Sequence, residues 1–419
     1  MQQDTVRRYV QLAVLILAGG AIYPLIYLRQ NFEVSILESF NITIAQLGEC
    51  YSLLGVLFII TYLPSGWLAD RVAPRWLMTF SLAATGALGL WFASLPSFDA
   101  LRLIFIGWGI ATGLTFWAAL IKGVAVLAHH DEQGRFFGLL DGGRGLVEAI
   151  LATIAVAIFA ASIESLGDAT DVALQKVIYL YVGFLFLAAA LVLFTIDDSA
   201  SREREPQDDA PAVSSTGADL MSIVRKPEIW LSAFCILCGY QLFWATYSFS
   251  GYLQGIYGLS AVAAGSITVA KLWTRALAAP LAGFVGDKLS RESVLAGLML
   301  AATVSLAVLI VVPQTAGVAL LLGLVLAIGL LTYAVRGIYW ATLDSCNVET
   351  RIKGLAIGVI SLVGYAPDVY LPLINGYLLE TYPGKTGYEI YFGGIVLMGV
   401  LGTLSAWRLG VIVLQRETE

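Results

Sequence analysis

Five basic residues lie inside apolar runs of the sequence: Lys122, Arg144, Lys271, Arg275 and Arg336. Insertion scales put each at about 2.5–3.5 kcal/mol at a bilayer centre, so five facing lipid would cost ~12–18 kcal/mol. They must meet water, an acid or a ligand, and the chemistry they offer a ligand is recognition of negative charge. The acids in the same runs are Glu49, Asp141, Glu148 and Asp368, with Asp344 near a helix end. Asp141, Arg144 and Glu148 are spaced three and four apart on one helix face, so Arg144 is either neutralised by its neighbours or in contact with a ligand. Lys271 and Arg275 are four apart with no acid within a turn. They are either balanced from another helix, with Asp368 as a candidate, or reserved for an anionic ligand. Arg336, Trp340 and Asp344 form a further stripe, in which the indole can stack on the guanidinium or on a substrate ring. Lys122 lies toward one end of its run and can also snorkel out along its stem.

Polar aromatics add a second signal. Tyr240, Trp244 and Tyr247 recur at helical spacing with Gln241 beside them, and Tyr23 pairs with Tyr27 near the start of the chain. Their O–H and N–H groups need partners when buried, and either a polar cavity or packing between helices supplies them. Glu148 and Asp368 are the candidate proton carriers, because a carboxyl group beside a base can change protonation as a substrate displaces it. In GYAPDVYLP, Pro367 and Pro372 bracket Asp368 and Tyr370. Each proline frees a carbonyl, which predicts a bend at the depth of that acid. Gly142, Gly143 and Gly145 around Arg144 mark a close helix approach or a bending point.

Other chemistries find little support. His129 and His130 are adjacent with no third ligand nearby, and Cys235-x-x-Cys238 sits in an apolar run with no second pair. With Cys50 and Cys346 these thiols read as packing residues, and neither a metal nor a cofactor is expected. No nucleophile constellation, paired carboxylates or nucleotide-binding glycine loop points to an enzyme. No basic run or aromatic platform suggests nucleic acid, and no segment is long enough for the soluble signalling domain of a receptor.

The elements that position these residues follow from composition. Of the 419 residues, 58% are apolar and only 13% charged, against roughly 25% charged in soluble domains. The apolar residues fall in blocks of about 20, the length that crosses a bilayer. The pattern predicts twelve spans, at 9–29, 43–68, 75–95, 101–127, 135–161, 175–196, 228–253, 260–284, 293–313, 317–344, 353–379 and 387–408. The first run, from about Val10 to Leu28, lacks a convincing cleavage site and reads as a helix that stays. Between the sixth and seventh spans lies SREREPQDDAPAVSSTG, rich in Ser, Pro and charge, which reads as a flexible linker. The expected domains are a six-helix bundle over 1–196, a cytoplasmic linker over 197–227 and a second six-helix bundle over 228–419. With an inside amino terminus, fifteen of the 24 bases fall on the cytoplasmic side and four outside (Arg29, Arg102, Lys176, Lys385), the intramembrane five making up the rest. That asymmetry places both termini inside. The third, sixth, ninth and twelfth spans have no charge in their central stretches.

The chain also repeats itself. GWLADRVAPR, from Gly66 to Arg75, returns about 217 residues later as GFVGDKLSRE, from Gly283 to Glu292. Each has a Gly, an Asp four places on, then a base, with another base nearby: Gly66, Asp70, Arg71 and Arg75, then Gly283, Asp287, Lys288 and Arg291. FWAAL in the fourth span returns as YWATL in the tenth. These stretches resemble the conserved loop of the major facilitator superfamily, with Ala73 and Ser290 standing where that pattern has its later Gly. The resemblance implies an all-α membrane protein of two pseudo-symmetric six-helix halves, with the uncharged spans as outer scaffold and the first and seventh lining a cavity. It also implies that Asp70 and Asp287 gate access by capping helix starts near Gly354 and Arg135 in the opposite half, where the dipole is positive. The Gly-Pro signature of many proton-driven drug exporters and the glycine signature of nitrate carriers are missing.

The expected function is secondary active transport of a small solute by alternating access. The excess of intramembrane bases points to an organic anion: a sugar acid, a phosphorylated or sulfonated metabolite, or a carboxylate. Proton coupling, a monomer, and a home in the bacterial cytoplasmic membrane complete the reading. A broad-specificity exporter of the same fold is the alternative, ahead of a receptor or a membrane-embedded enzyme.

Overall fold

The computed structural model describes residues 2–128, 132–197, 217–348 and 352–418. His129, His130 and most of the linker lie outside the described residues, as do the side chains of Asp70, Asp287, Asp344, Arg135 and Lys353. The described residues form helices and no strand, in twelve spans. They are α1a (Gln2–Ala21) and α1b (Arg29–Phe40), α2 (Ile44–Arg71), α3 (Pro74–Ala93), and α4a (Phe98–Thr115) with α4b (Trp117–Leu127). Next come α5 (Gln133–Ala160), α6 (Thr170–Thr195), α7a (Pro227–Ala245) with α7b (Phe249–Tyr257), and α8a (Ala261–Trp273) with α8b (Arg275–Lys288). The last are α9 (Arg291–Val311), α10 (Val318–Ile338), α11a (Lys353–Gly364) with α11b (Pro367–Thr381), and α12 (Lys385–Thr418). Ten helical runs are long and apolar enough to cross a membrane by length and composition; α1 and α8 complete the twelve.

The interruptions fall where the sequence supplies a reason. Pro24 lies in the turn Ile22–Leu28 between α1a and α1b, and Pro367 opens α11b with Asp368 in its first turn. The bend expected at that acid is therefore present. In α4 the break is at Phe116, and in α10 the helix tightens to a 3₁₀ turn over Tyr339–Ala341. These are the first residues of FWAAL and YWATL, so the sequence echo marks the same local feature twice. The spans without central charge, α3, α6, α9 and α12, run unbroken.

One expected boundary is corrected. The first span does not end at 29 but resumes as α1b to Phe40. Arg29, read as an outside base, is 1% exposed and bonds Glu33 through Nε at 3.1 Å and Nη2 at 2.5 Å. Its guanidinium also lies 5.2 Å from the centre of the Tyr51 ring. An ion pair between residues four apart, closed across the kink that the non-helical backbone of Phe32 makes, renders a charged stretch compatible with burial, which hydropathy alone does not register.

The chain forms two compact units, Met1–Glu205 with Leu259–Trp273, and Pro206–Gly258 with Thr274–Glu419. In the first, α1 packs on α5 and α6, α2 on α4, and α3 on α4 and α6, while α8a lies against α5 and α1b. Polar side chains stitch these helices: Ser81 Oγ donates to the Ala111 carbonyl at 2.8 Å, and Tyr51 donates to that of Ile26 at 2.7 Å. In the second unit α12 packs on α9 and α7a, and α8b on α10. With no hydrophobic drive between helices in lipid, close contact depends on small residues. A Cβ on Gly402 would come within 2.3 Å of Met299 Cε and 2.4 Å of Cys238 Cβ. At one end of this unit Arg416 pairs with Glu228 and donates to the Ser345 carbonyl at 3.3 Å, and Ser345 donates to Glu292.

Gly402→Val should destabilise the protein by about 1–3 kcal/mol through overpacking. Gly297→Ala on α9, where a Cβ meets nothing within 4 Å, should be neutral or stabilising by up to about 1 kcal/mol from helix propensity. Thermal unfolding of the two purified variants checks the opposite signs.

Candidate functional site

Each unit holds its own cluster of charge and aromatic rings. In the second, α11b begins just before Asp368, so the carboxylate projects from a first turn beside α7a. Tyr240 donates its hydroxyl to Asp368 Oδ1 at 2.8 Å, and Trp244 donates Nε1–H to the same oxygen at 2.7 Å. Both donors come from one face of α7a, since they are four apart. The acid and its indole donor are largely buried, Asp368 being 6% exposed and Trp244 2%.

Arg336, on α10, lies within electrostatic reach of Asp368 and of the hydroxyls of Tyr240, Tyr247, Tyr339 and Tyr365. Its guanidinium is 4.2 Å from the Phe243 ring centre and 5.7 Å from that of Tyr240. Of the two contacts open to Trp340, stacking on the guanidinium of Arg336 is not made among the described residues. The 3₁₀ turn at Tyr339–Ala341 breaks the i,i+4 stripe, and Trp340 instead donates to the Tyr365 hydroxyl at 2.9 Å. Tyr365 stands edge-on to Tyr240, with centroids 5.0 Å apart. Arg275 lies 5.8 Å from the ring centre of Tyr333, which itself packs 5.7 Å from Phe243. Gln241 is buried beside Tyr240, and its Nε2 has no hydrogen-bond partner among the described residues.

In the first unit Arg144, on α5, donates from Nε to the Gly19 carbonyl at 3.0 Å and lies 4.9 Å from the Trp117 ring centre. Trp117 follows the break at Phe116, so the repeated aromatic pair faces the neighbouring helix in both units. Tyr23 meets Tyr27 and Phe116, and Tyr27 stacks on Tyr51 at 5.7 Å. Lys271 is fully buried, and the acid whose charge acts on it is Glu148 of α5, not Asp368. The helix is interrupted at Thr274, so Lys271 and Arg275 do not share an unbroken face. Trp273 beside it donates to Thr153 Oγ1 at 3.1 Å, tying α8a to α5. Lys122 donates to the Ala69 carbonyl at 2.6 Å, at the end of α2.

The repeated charged loops sit at helix ends. Arg71 stacks 4.1 Å from the Trp67 ring centre, Arg75 lies 4.9 Å from that of Trp76, and Lys288 Nζ is 4.3 Å from that of Phe284. A Cβ on Gly66 or Gly283 would meet nothing within 4 Å. Among the described residues no cluster of three His, Cys, Asp or Glu could hold a metal, and the four thiols are buried. Phe243, Tyr339, Tyr365 and Trp117 were missed as site residues. FWAAL and YWATL carried the signal for Tyr339 and Trp117.

A family model described as Major Facilitator Superfamily matches residues 12–372. Two proteins of Escherichia coli strain K12 are similar along nearly their whole length. The inner membrane protein YihN is 27% identical over 99% of this chain and 98% of its own. The inner membrane protein YqcE is 29% identical over 96% and 94%. Among solved structures, the nucleoside transporter NupG gives a TM-score of 0.73 at 13% identity, covering 96% of this chain and 98% of that one. A bacterial homolog of the human lysosomal transporter Spinster, inward-facing and unoccupied, gives 0.67 at 15% identity, covering 97% and 96%. At these identities the two structures share the fold alone with this chain.

Tyr240→Phe and Trp244→Phe each remove one donor from a buried carboxylate, a loss of about 1.5–3 kcal/mol. Each should lower the unfolding temperature by several degrees, and the double variant should depart from additivity because both bonds end on one oxygen. A thermal-unfolding double-mutant cycle measures it.

Proposed function

The chain belongs to the Major Facilitator Superfamily and is built as a multi-pass secondary transporter, and from that premise we propose that its passenger is a small organic anion moved with a proton. The observation that carries the reading is Arg336. Its guanidinium is half-buried, walled by aromatic rings, and makes no hydrogen bond or ion pair among the described residues. A cation held in that state is stabilised by a ligand that brings negative charge and acceptor oxygens. Arg275 stands one ring away and adds to the attraction, and in the other unit Arg144, bonded to the Gly19 carbonyl, lies against the Trp117 ring. Tyr23, Tyr27, Tyr240, Gln241, Trp244 and Trp340 supply polar and ring contacts.

Glu148 is the favoured proton carrier. Its charge acts on Lys271, so protonation of the acid and loading of the base are linked. Asp368, with two donors already on one oxygen, is assigned to the passenger, and its part in coupling is secondary. Gly66, Asp70, Arg71, Arg75, Gly283, Asp287, Lys288 and Arg291 keep the gating role that the family pattern gives them. The asymmetry of Lys and Arg supports inside termini in a bacterial cytoplasmic membrane, and burial of Arg29 sharpens it, from fifteen against four to fifteen against three. The working unit is a monomer.

Purified protein screened by thermal shift should be stabilised by anionic metabolites, and Arg336→Gln should abolish the effect. A set of stabilising ligands that is wholly neutral or cationic would defeat the anion reading. In proteoliposomes, Glu148→Gln should eliminate uptake driven by an inward proton gradient while leaving exchange at equal pH. Wild-type uptake indifferent to a protonophore would rule out coupling.

A further inference from the structure

We infer that the passenger is a hydroxy acid, whose acid group meets Arg336 while one of its hydroxyls donates to the second oxygen of Asp368. The inference rests on the anion reading above and narrows it. Tyr240 and Trp244 both donate to Oδ1, at 2.8 and 2.7 Å. Oδ2 receives no donor among the described residues. Arg336 is near enough for its charge to act on Asp368, yet the two form no ion pair. A donor edge and an acceptor oxygen thus stand within electrostatic reach of each other among aromatic rings, neither satisfying the other.

The cost of that arrangement singles out what relieves it. A buried acceptor without a donor is unfavourable, and a charge without a partner more so. A plain carboxylate satisfies the guanidinium and leaves Oδ2 bare. A neutral polyol satisfies Oδ2 and leaves the guanidinium bare. A ligand ammonium on Oδ2 would sit close to Arg336 and be repelled by it. An acid bearing a hydroxyl answers both groups at once. Sites built to bond a substrate hydroxyl reject analogues lacking it, because their own polar groups are then left unpaired.

The test is binding to the purified full-length protein of three probes: D-gluconate, hexanoate, which keeps the acid and chain length without hydroxyls, and D-glucitol, which keeps the hydroxyls without the acid. Gluconate should bind at least about tenfold more tightly than either of the others. Asp368→Asn sharpens the result. Tyr240 and Trp244 need an acceptor, so the amide oxygen takes the Oδ1 place and the NH₂ takes that of Oδ2, replacing an open acceptor with a donor. In that variant gluconate affinity should fall to that of hexanoate, while hexanoate changes little. The comparison in the wild type stands even if the variant does not fold. Equal affinity for gluconate and hexanoate would overturn the hydroxyl contact and leave the anion reading intact. Binding of glucitol but neither acid would overturn both, as would no binding of any probe.

Discussion

Two hydrogen bonds ending on one carboxylate oxygen organise the second unit. Tyr240 and Trp244 fix Asp368 against α7a, and the start of α11b in turn fixes the height at which the acid stands. The charge of Arg336 acts on that acid, and its guanidinium lies against the rings of Phe243 and Tyr240. In a medium without water such groups are tolerable only when their geometry is imposed from outside. The imposition comes from uncharged, bulky neighbours, so the rings are as necessary to the site as the ions.

The interrupted helices serve the same constraint. A continuous helix keeps its carbonyls and N–H groups to itself and presents side chains at fixed angles. At Phe116, at Tyr339–Ala341 and before Pro367 the backbone departs from that schedule, and in each case an aromatic or charged residue is re-aimed at a neighbouring helix. Trp117 under Arg144 and Trp340 on Tyr365 are two outcomes of one duplicated local sequence. The copies have kept the bend and changed what it presents.

How far the sequence discloses this depends on the range of the interaction. Twelve apolar blocks, a proline bend at Asp368 and the spans without central charge are local or periodic, and they were legible. So were most residues of the second unit's cluster, taken singly: Tyr240 and Trp244 by their spacing, Asp368 by its flanking prolines. Their pairing was not, because 128 and 124 residues separate the partners and no pattern along a chain reports contact across it. Arg336 misled for a different reason, since a helical stripe presumes an unbroken helix. Arg29 misled because hydropathy counts a charge as wet whether or not its neutralising partner is one turn away. For Lys271 the sequence leaves an anionic ligand and an acid from another helix both open, and the acid whose charge acts on it, Glu148, is singled out only once the packing of α8a is known.

That Arg29–Glu33 pair bears on how the protein is made. Its members are four residues apart, on either side of the kink at Phe32, so they neutralise each other through local chain geometry and need no distant helix to meet. A cation waiting for an acid on a distant span would meet the insertion machinery exposed. Here a buried polar stretch of the first span carries its own counter-charge.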